Sequence, residues 1–272
     1  MRSYCTRAPI DSIVRTDVEI WQAALSLILV AIVVAISLWR RLGLEGAVLW
    51  ASFRAAVQLL AVGAVFTVIF ESRFADTWAA LWVVAMVLIS GVVVARRTGA
   101  GRSLALVGLA AIGTTVSVVL AVIFGLGILA LEAVSVVVIA GITIGNTMPT
   151  VVQAVDRTRS QLVESTGQIE AMLALGFGAR EATGRVVHEV ARLALVPQIE
   201  RTKVVGLIAL PGAMTGLLLA GVDPVDAVLI QLVVMFLVLG AVALSVITVT
   251  IAMTRRALTP DLRLADWVRA LS

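Results

Sequence analysis

Apolar residues run through this chain in blocks of about twenty positions, the length that a helix needs to cross a bilayer. The polar residues collect in the gaps. Seven blocks stand out: Ile20–Trp39, Ala47–Phe70, Thr77–Ala95, Leu104–Phe124, Leu129–Val151, Val204–Leu219 and Val225–Met253. A backbone surrounded by hydrocarbon must satisfy its own N–H and C=O groups, and a helix does so within the segment. A membrane β-barrel would instead show short segments of alternating polarity. The pattern predicts an all-α, polytopic membrane protein with about seven spans. The sixth block is short and is interrupted by Pro211-Gly212, and the seventh is long enough to tilt.

Composition agrees with that pattern. Of 272 residues, 61% are apolar and 14% charged, with a mean hydropathy of +1.08, too little polar surface to coat a soluble domain. The arginines set an orientation. Arg40 and Arg41 follow the first block, Arg96, Arg97 and Arg102 separate the third and fourth, Arg157 to Lys203 populate the long gap after the fifth, and Arg255, Arg256, Arg263 and Arg269 follow the seventh. The alternate gaps hold Arg73 beside Glu71, Asp76, Asp223 and Asp226. The positive-inside rule therefore predicts an outer N-terminus and a cytoplasmic C-terminus in the plasma membrane. The pI of about 10.5 follows from inward-facing arginines and does not indicate nucleic-acid binding. The first block is of spanning length and is followed by arginines, so it reads as a span rather than a cleaved signal peptide. Cys5, the sole cysteine, excludes an internal disulfide.

Scarcity excludes much chemistry. The one histidine, His188, cannot form the paired-histidine helix of a zinc peptidase, and it reads as a partly exposed helix residue. The one lysine lies in "RTKVV", so there is no Gly-Lys-Ser/Thr phosphate loop and no ATPase motif. The chain is expected to be no enzyme and to need no cofactor.

Residues 156–203 form the sole sizeable polar segment and are patterned as two helices. Leu162, Ile169, Met172, Leu173 and Leu175 recur at helical spacing up to a stop at Gly176, and Val186, Val187, Val190, Leu193 and Ala194 form a second stripe. Such a hairpin would either lie on membrane lipid, arginines toward anionic headgroups, or dock a cytoplasmic partner. Its "EAMLALG", Glu170 to Gly176, looks like the start of the EAA loop by which ABC permeases seat in a groove of their ATPase, with Met172 in place of the usual alanine.

Two blocks carry breakers at membrane depth: "GITIGNTMPT" at 141–150 and "ALPGAMTGLLLAG" at 209–221. Pro149 and Pro211 each remove a backbone donor. Paired interrupted helices commonly mark a transport site, although close packing around a kink would use the same residues. Together "GNTM", "EAMLALG" and "VVGLIALPGAMTGLLLAGVDPVDAVLIQ" resemble the FetB-type family of ABC transporter permeases, which includes bacterial iron exporters and plant proteins linked to aluminium tolerance. "SFRAAVQLLAVGAVF" matches the family's Arg-xxx-Gln-Leu segment at Arg54, Gln58 and Leu59, and the resemblance covers most of residues 45–256. It implies one transmembrane permease domain, 1–272, with 156–203 as its coupling loop, a separate ATPase subunit as partner, and a homodimer of permeases. Glu170, Ala171, Gly176 and Arg180 would mediate the ATPase coupling.

The substrate pathway would draw on Arg54, Gln58, Glu132, Asn146, Thr147, Met148, Met214, Thr215 and Gln231. An arginine at membrane depth costs at least about 2.5 kcal/mol, so Arg54 should face a protein interior or snorkel. Hard iron prefers carboxylate and imidazole, of which the membrane core shows almost none; Met148, Met214 and Met235 suit copper(I), and Arg54 suits an anion. The leading expectation is export of iron, another metal or a metal chelate, driven by the partner ATPase. The alternatives are an ABC permease for an organic anion such as a nucleotide sugar, or an ATP-independent channel or secondary carrier. Orientation is directly testable: a reporter fused after Ser272 should be cytoplasmic and one before Ser3 external. Both ends on one side would require an even number of spans and overturn the reading.

Overall fold

The computed structural model describes residues 20–99, 102–206, 208–259, 261 and 263–269. Cys5 and the N-terminal arginines lie outside the described residues. The described chain is helical: α1 (Ile20–Leu25), α2 (Leu27–Arg40), α3 (Glu45–Glu71), α4 (Ala75–Thr98), α5 (Arg102–Gly125), α6 (Ala133–Glu164), α7 (Thr166–Ala174), α8 (Ala179–Val204), α9 (Gly212–Leu219), α10 (Pro224–Arg256) and α11 (Asp266–Arg269). Isolated bridges at Val205–Ala209 and Leu258–Leu264 are its only β pairing among the described residues. Among the described residues, five helices are long and apolar enough to cross a membrane, α3, α4, α5, α6 and α10, which makes this an integral multi-pass membrane protein.

Three expected spans take a different form. The first is divided near Ser26 into α1 and the 14-residue α2. The sixth contracts to the eight-residue α9, because Pro211 and the Gly206 turn (φ +87°) stop helix propagation before it. The fifth is not broken: α6 runs through Pro149 for 32 residues. Neighbouring spans supply packing that holds a proline-containing helix together, and its polar side chains bond to its own backbone.

The chain divides into two compact units. One comprises the described residues up to Arg73 with Gly212–Ala227. In it α2 and α3 pack as a hairpin whose turn is fastened by Ser37. The Ser37 hydroxyl donates to Glu45 Oε2 (3.0 Å) and accepts from the Leu44 N–H (3.1 Å).

The second unit, Phe74–Pro211 and Val228 onward, is built around α6. Helices α4 and α5 pack on it and on each other, α7 and α8 pack on its extension, and α11 closes over that same helix. The buried stripe of α6 continues from Val137 through Ala140, Thr147, Val151 and Val155 to Leu162. At about 1.5 Å per residue the helix is about 48 Å long, well beyond the ~30 Å hydrocarbon layer. Its final turns share a core with Ile169, Val186, Val190, Leu264 and Val268. The hairpin is therefore packed on protein through Ile169, Val186 and Val190, while Leu175 and Leu193 of the expected stripes stay exposed.

Two side chains finish span ends. Arg159 Nη1 donates to the Thr98 carbonyl at the end of α4 (2.8 Å), and Trp267 Nε1 donates to the Arg256 carbonyl at the end of α10 (3.2 Å). Both occupy carbonyls that a helix terminus leaves without internal donors.

Glycines set the α4–α5 distance. A Cβ on Gly91 would lie 2.7 Å from Leu109 Cδ1 and 2.9 Å from its Cβ, and one on Gly108 would lie 2.8 Å from Val94 Cγ1. Gly91→Val should destabilise the protein by about 1–3 kcal/mol through overpacking. Gly113→Ala, whose Cβ would sit at an ordinary 3.5 Å from Val87, should be near neutral. Melting temperatures in detergent would show this contrast, and equal values for the two variants would refute the close approach.

Candidate functional site

The most polar turn inside the membrane-length helices lies on α6. Thr143, Thr147 and Thr150 donate to the carbonyls of Ile139 (2.7 Å), Thr143 (2.8 Å) and Asn146 (3.0 Å), and Asn146 Nδ2 donates to the Ile142 carbonyl (2.8 Å). Each bond reaches back four residues, the geometry by which short polar side chains satisfy themselves on a helix. Because a carbonyl can only accept, the Asn146 amide nitrogen must face Ile142, which leaves its acceptor Oδ1 uncommitted among the described residues. Pro149 has no N–H to give the Gly145 carbonyl, and Gly145 and Pro149 are both exposed. Half-buried Thr150 and exposed Gln153 continue the same side of the helix. The turn thus combines a freed backbone carbonyl, an amide oxygen and a hydroxyl on the less buried side of α6.

The other expected pathway residues fall in varied surroundings. Thr147 is fully buried with its hydroxyl held by α6 itself, and Met148 packs against the core, so these two support the helix. Glu132 is exposed at the N-cap position of α6 and makes no side-chain cap bond. Gln231 on α10 is 8% exposed, and its Oε1 has no hydrogen-bond partner among the described residues. A buried amide oxygen without a donor costs about 1–3 kcal/mol, which makes Gln231 a strong candidate for contact with water or a ligand. These residues belong to the unit built on α6. Arg54 and Gln58, exposed and one turn apart on α3, and Met214 and Thr215, half-buried on α9, belong to the other unit. The Thr215 hydroxyl donates to the Gly212 carbonyl (3.0 Å).

The expected coupling residues cluster at the α7–α8 turn. The Phe177 N–H donates to the Met172 carbonyl (3.1 Å) and the Gly176 N–H to Leu173 (3.0 Å). With Gly176 at φ +88°, this is a left-handed helix stop that favours glycine. Glu181 returns its carboxylate to the Gly178 N–H (3.1 Å) and starts α8. The turn presents Leu175, 77% exposed, and Phe177, 44% exposed, beside exposed Glu170, Ala171 and Arg180.

Sequence reading missed Arg159, Thr150 and Gln153. The four-residue spacing of Thr143 with Thr147 and of Asn146 with Thr150 signals the back-bonded turn. Nothing separates Arg159 from its neighbouring arginines until α4 is placed beside it. Among the described residues, no three His, Cys, Asp or Glu side chains converge on a point that could hold a metal ion.

Comparison with known proteins places this architecture. A family model described as "Uncharacterised protein family (UPF0014)" matches residues 20–258. The chain belongs to the UPF0014 family. Among curated UPF0014 relatives, the "UPF0014 membrane protein STAR2" of Oryza sativa subsp. japonica is 38% identical over 81% of this chain and 77% of its own length. The "Probable iron export permease protein FetB" of Escherichia coli (strain K12) is 32% identical over 82% of this chain and 86% of its own. "Protein ALUMINUM SENSITIVE 3" of Arabidopsis thaliana is 32% identical over 84% and 82%. No solved structure matches the chain.

Asn146 and Thr147 offer a contrast between the less buried and the buried side of the same turn. Asn146→Leu removes one exposed-side acceptor and one intrahelical bond, so stability should change by about 0.5–1.5 kcal/mol. Substrate-stimulated turnover in reconstituted complexes should be lost. Thr147→Val should cost a similar amount of stability while turnover persists. Wild-type stimulation in the Asn146 variant would make the turn a packing feature.

Proposed function

We propose that this UPF0014 protein is the membrane-spanning permease subunit of an ABC exporter, and that a separate ATPase subunit drives it. Two permease copies and two ATPase subunits would form the working assembly. The observation that carries the reading is the unbroken run of α6 from the polar turn to the α7–α8 hairpin. From Asn146 to Glu164 this is about 27 Å of continuous helix, stiff enough to move both ends together. The exposed Leu175–Phe177 knob at the glycine stop is an apolar surface of the kind a protein groove covers.

The transported species is read as a metal cation or metal chelate. The freed Gly145 carbonyl, the Asn146 amide oxygen and the Thr150 hydroxyl are oxygen acceptors, which suit a hard cation or a ligand rich in donors. The name of the Escherichia coli relative supports iron as the first substrate to test. A second reading, an organic anion such as a nucleotide sugar, rests on the exposed Arg54 of α3.

The test is co-purification with the ATPase, then ATP hydrolysis in liposomes across iron, other metals, chelates and nucleotide sugars. Stimulation by a metal or chelate is expected, and transport without ATP would replace the reading with a carrier. Leu175→Glu leaves the fold intact, since the side chain is exposed, and should lower ATPase association at least about ten-fold, as loss of an apolar anchor does. Gly176→Trp meets the strain of φ +88° and should uncouple hydrolysis from transport while the protein still inserts. Normal association and transport in both variants would remove the hairpin from coupling.

A further inference from the structure

A second feature of the unit built on α6 lies on its outside. Between α4 and α5 runs an apolar groove of about 540 Å³. Leu88, Val92 and Ala95 form one wall and Leu106 part of the other, and Arg96 stands at one end. The floor exists because Gly91 lets Leu109 approach where any side chain would fill the space. Leu88, Val92 and Leu106 are each more than half exposed, and both helices are of spanning type. The groove therefore opens sideways at bilayer depth. From Leu88 to Arg96 it extends about 12 Å along α4.

The charge at its end selects the occupant. Arg96 and Arg97 are exposed in the last turn of α4, and neither takes part in an ion pair among the described residues. The neighbouring Arg159 is already engaged by the Thr98 carbonyl. A cation at the membrane surface above an apolar channel matches one molecule with an anionic head and a hydrocarbon tail. A second copy of this chain fits less well, because its α4 and α10 likewise end in arginines, Arg96, Arg97, Arg255 and Arg256, so like charges would meet.

We propose that the α4–α5 groove is a binding site for an anionic phospholipid of the cytoplasmic leaflet, with an acyl chain along Leu88–Ala95 and the phosphate on the Arg96 guanidinium. A lipid held there would cover Gly91, against which Leu109 of α5 packs, and so couple α4–α5 packing to the charge of the membrane. The site stands apart from the polar turn of α6 and does not depend on the transport reading.

The experiment uses the full chain in mild detergent, stripped of lipid and then exposed to phosphatidylglycerol or phosphatidylcholine, with retained lipid counted by native mass spectrometry. Wild type should retain phosphatidylglycerol about five-fold better, the effect of one arginine near an anionic surface. Arg96→Gln should abolish that preference and leave phosphatidylcholine retention unchanged. Val92→Trp, at an exposed wall position, should lower retention of both lipids, whereas Arg40→Gln should change neither. Wild-type preference in Arg96→Gln would overturn the proposal. So would efficient disulfide dimer formation by Val92→Cys in a Cys5→Ser background in bilayers, since that places a second copy in the groove.

Discussion

A carbonyl inside a bilayer has no water to turn to, and this constraint acts most heavily on α6. Its central turn holds a proline, two glycines, three threonines and an asparagine, a mixture that would end most helices in water. Here the alternative to helix is unsatisfied backbone in hydrocarbon, so the helix persists and the polar side chains fold back onto it. Thr143, Asn146, Thr147 and Thr150 all bond four residues back. Pro149 still leaves one carbonyl, that of Gly145, without its usual donor. The polarity that remains available is thereby confined to one turn.

The continuity of α6 has a mechanical consequence. One helix is packed between α4 and α5 in the membrane-length part and against α7, α8 and α11 beyond it. Its buried stripe does not change character from one part to the other, since Val151, Val155 and Leu162 follow the same face. Arg159 ties α6 to the end of α4, and Trp267 ties α11 to the end of α10. The hairpin is therefore joined through α6 to the end of α4 by Arg159, within one close-packed core.

On the proposed reading, the chemistry of the polar turn narrows what could pass it. Oxygen acceptors dominate: a backbone carbonyl, an amide oxygen and a hydroxyl. Carboxylates are kept to the ends, as at Glu132, and no side-chain cluster forms a tight metal cage among the described residues. Weak oxygen ligation suits transport better than storage, because a substrate held too firmly cannot leave.

Much of this was legible in the pattern of residues. Length and hydropathy determined that the chain is helical and membrane-spanning, because hydrocarbon penalises every unpaired backbone group regardless of what lies nearby. The stop at Gly176 was legible for a similarly local reason: glycine takes a left-handed conformation that other residues resist. Pro149 misled for the opposite reason. A proline announces a lost donor, but it does not by itself end a helix, and here α6 continues through Pro149 with its opposite face packed on α4 and α5. Pro211 instead lies in the connection between α8, which ends at Val204, and α9, which begins at Gly212. Whether the hairpin's apolar stripe meets lipid or protein was likewise undecided by spacing, since both burials use the same residues. Tertiary structure buries Ile169, Val186 and Val190 of that stripe against the final turns of α6. Arg159 shows the limit most plainly: one arginine among many in sequence, it becomes the cap of α4 because two distant helices end side by side.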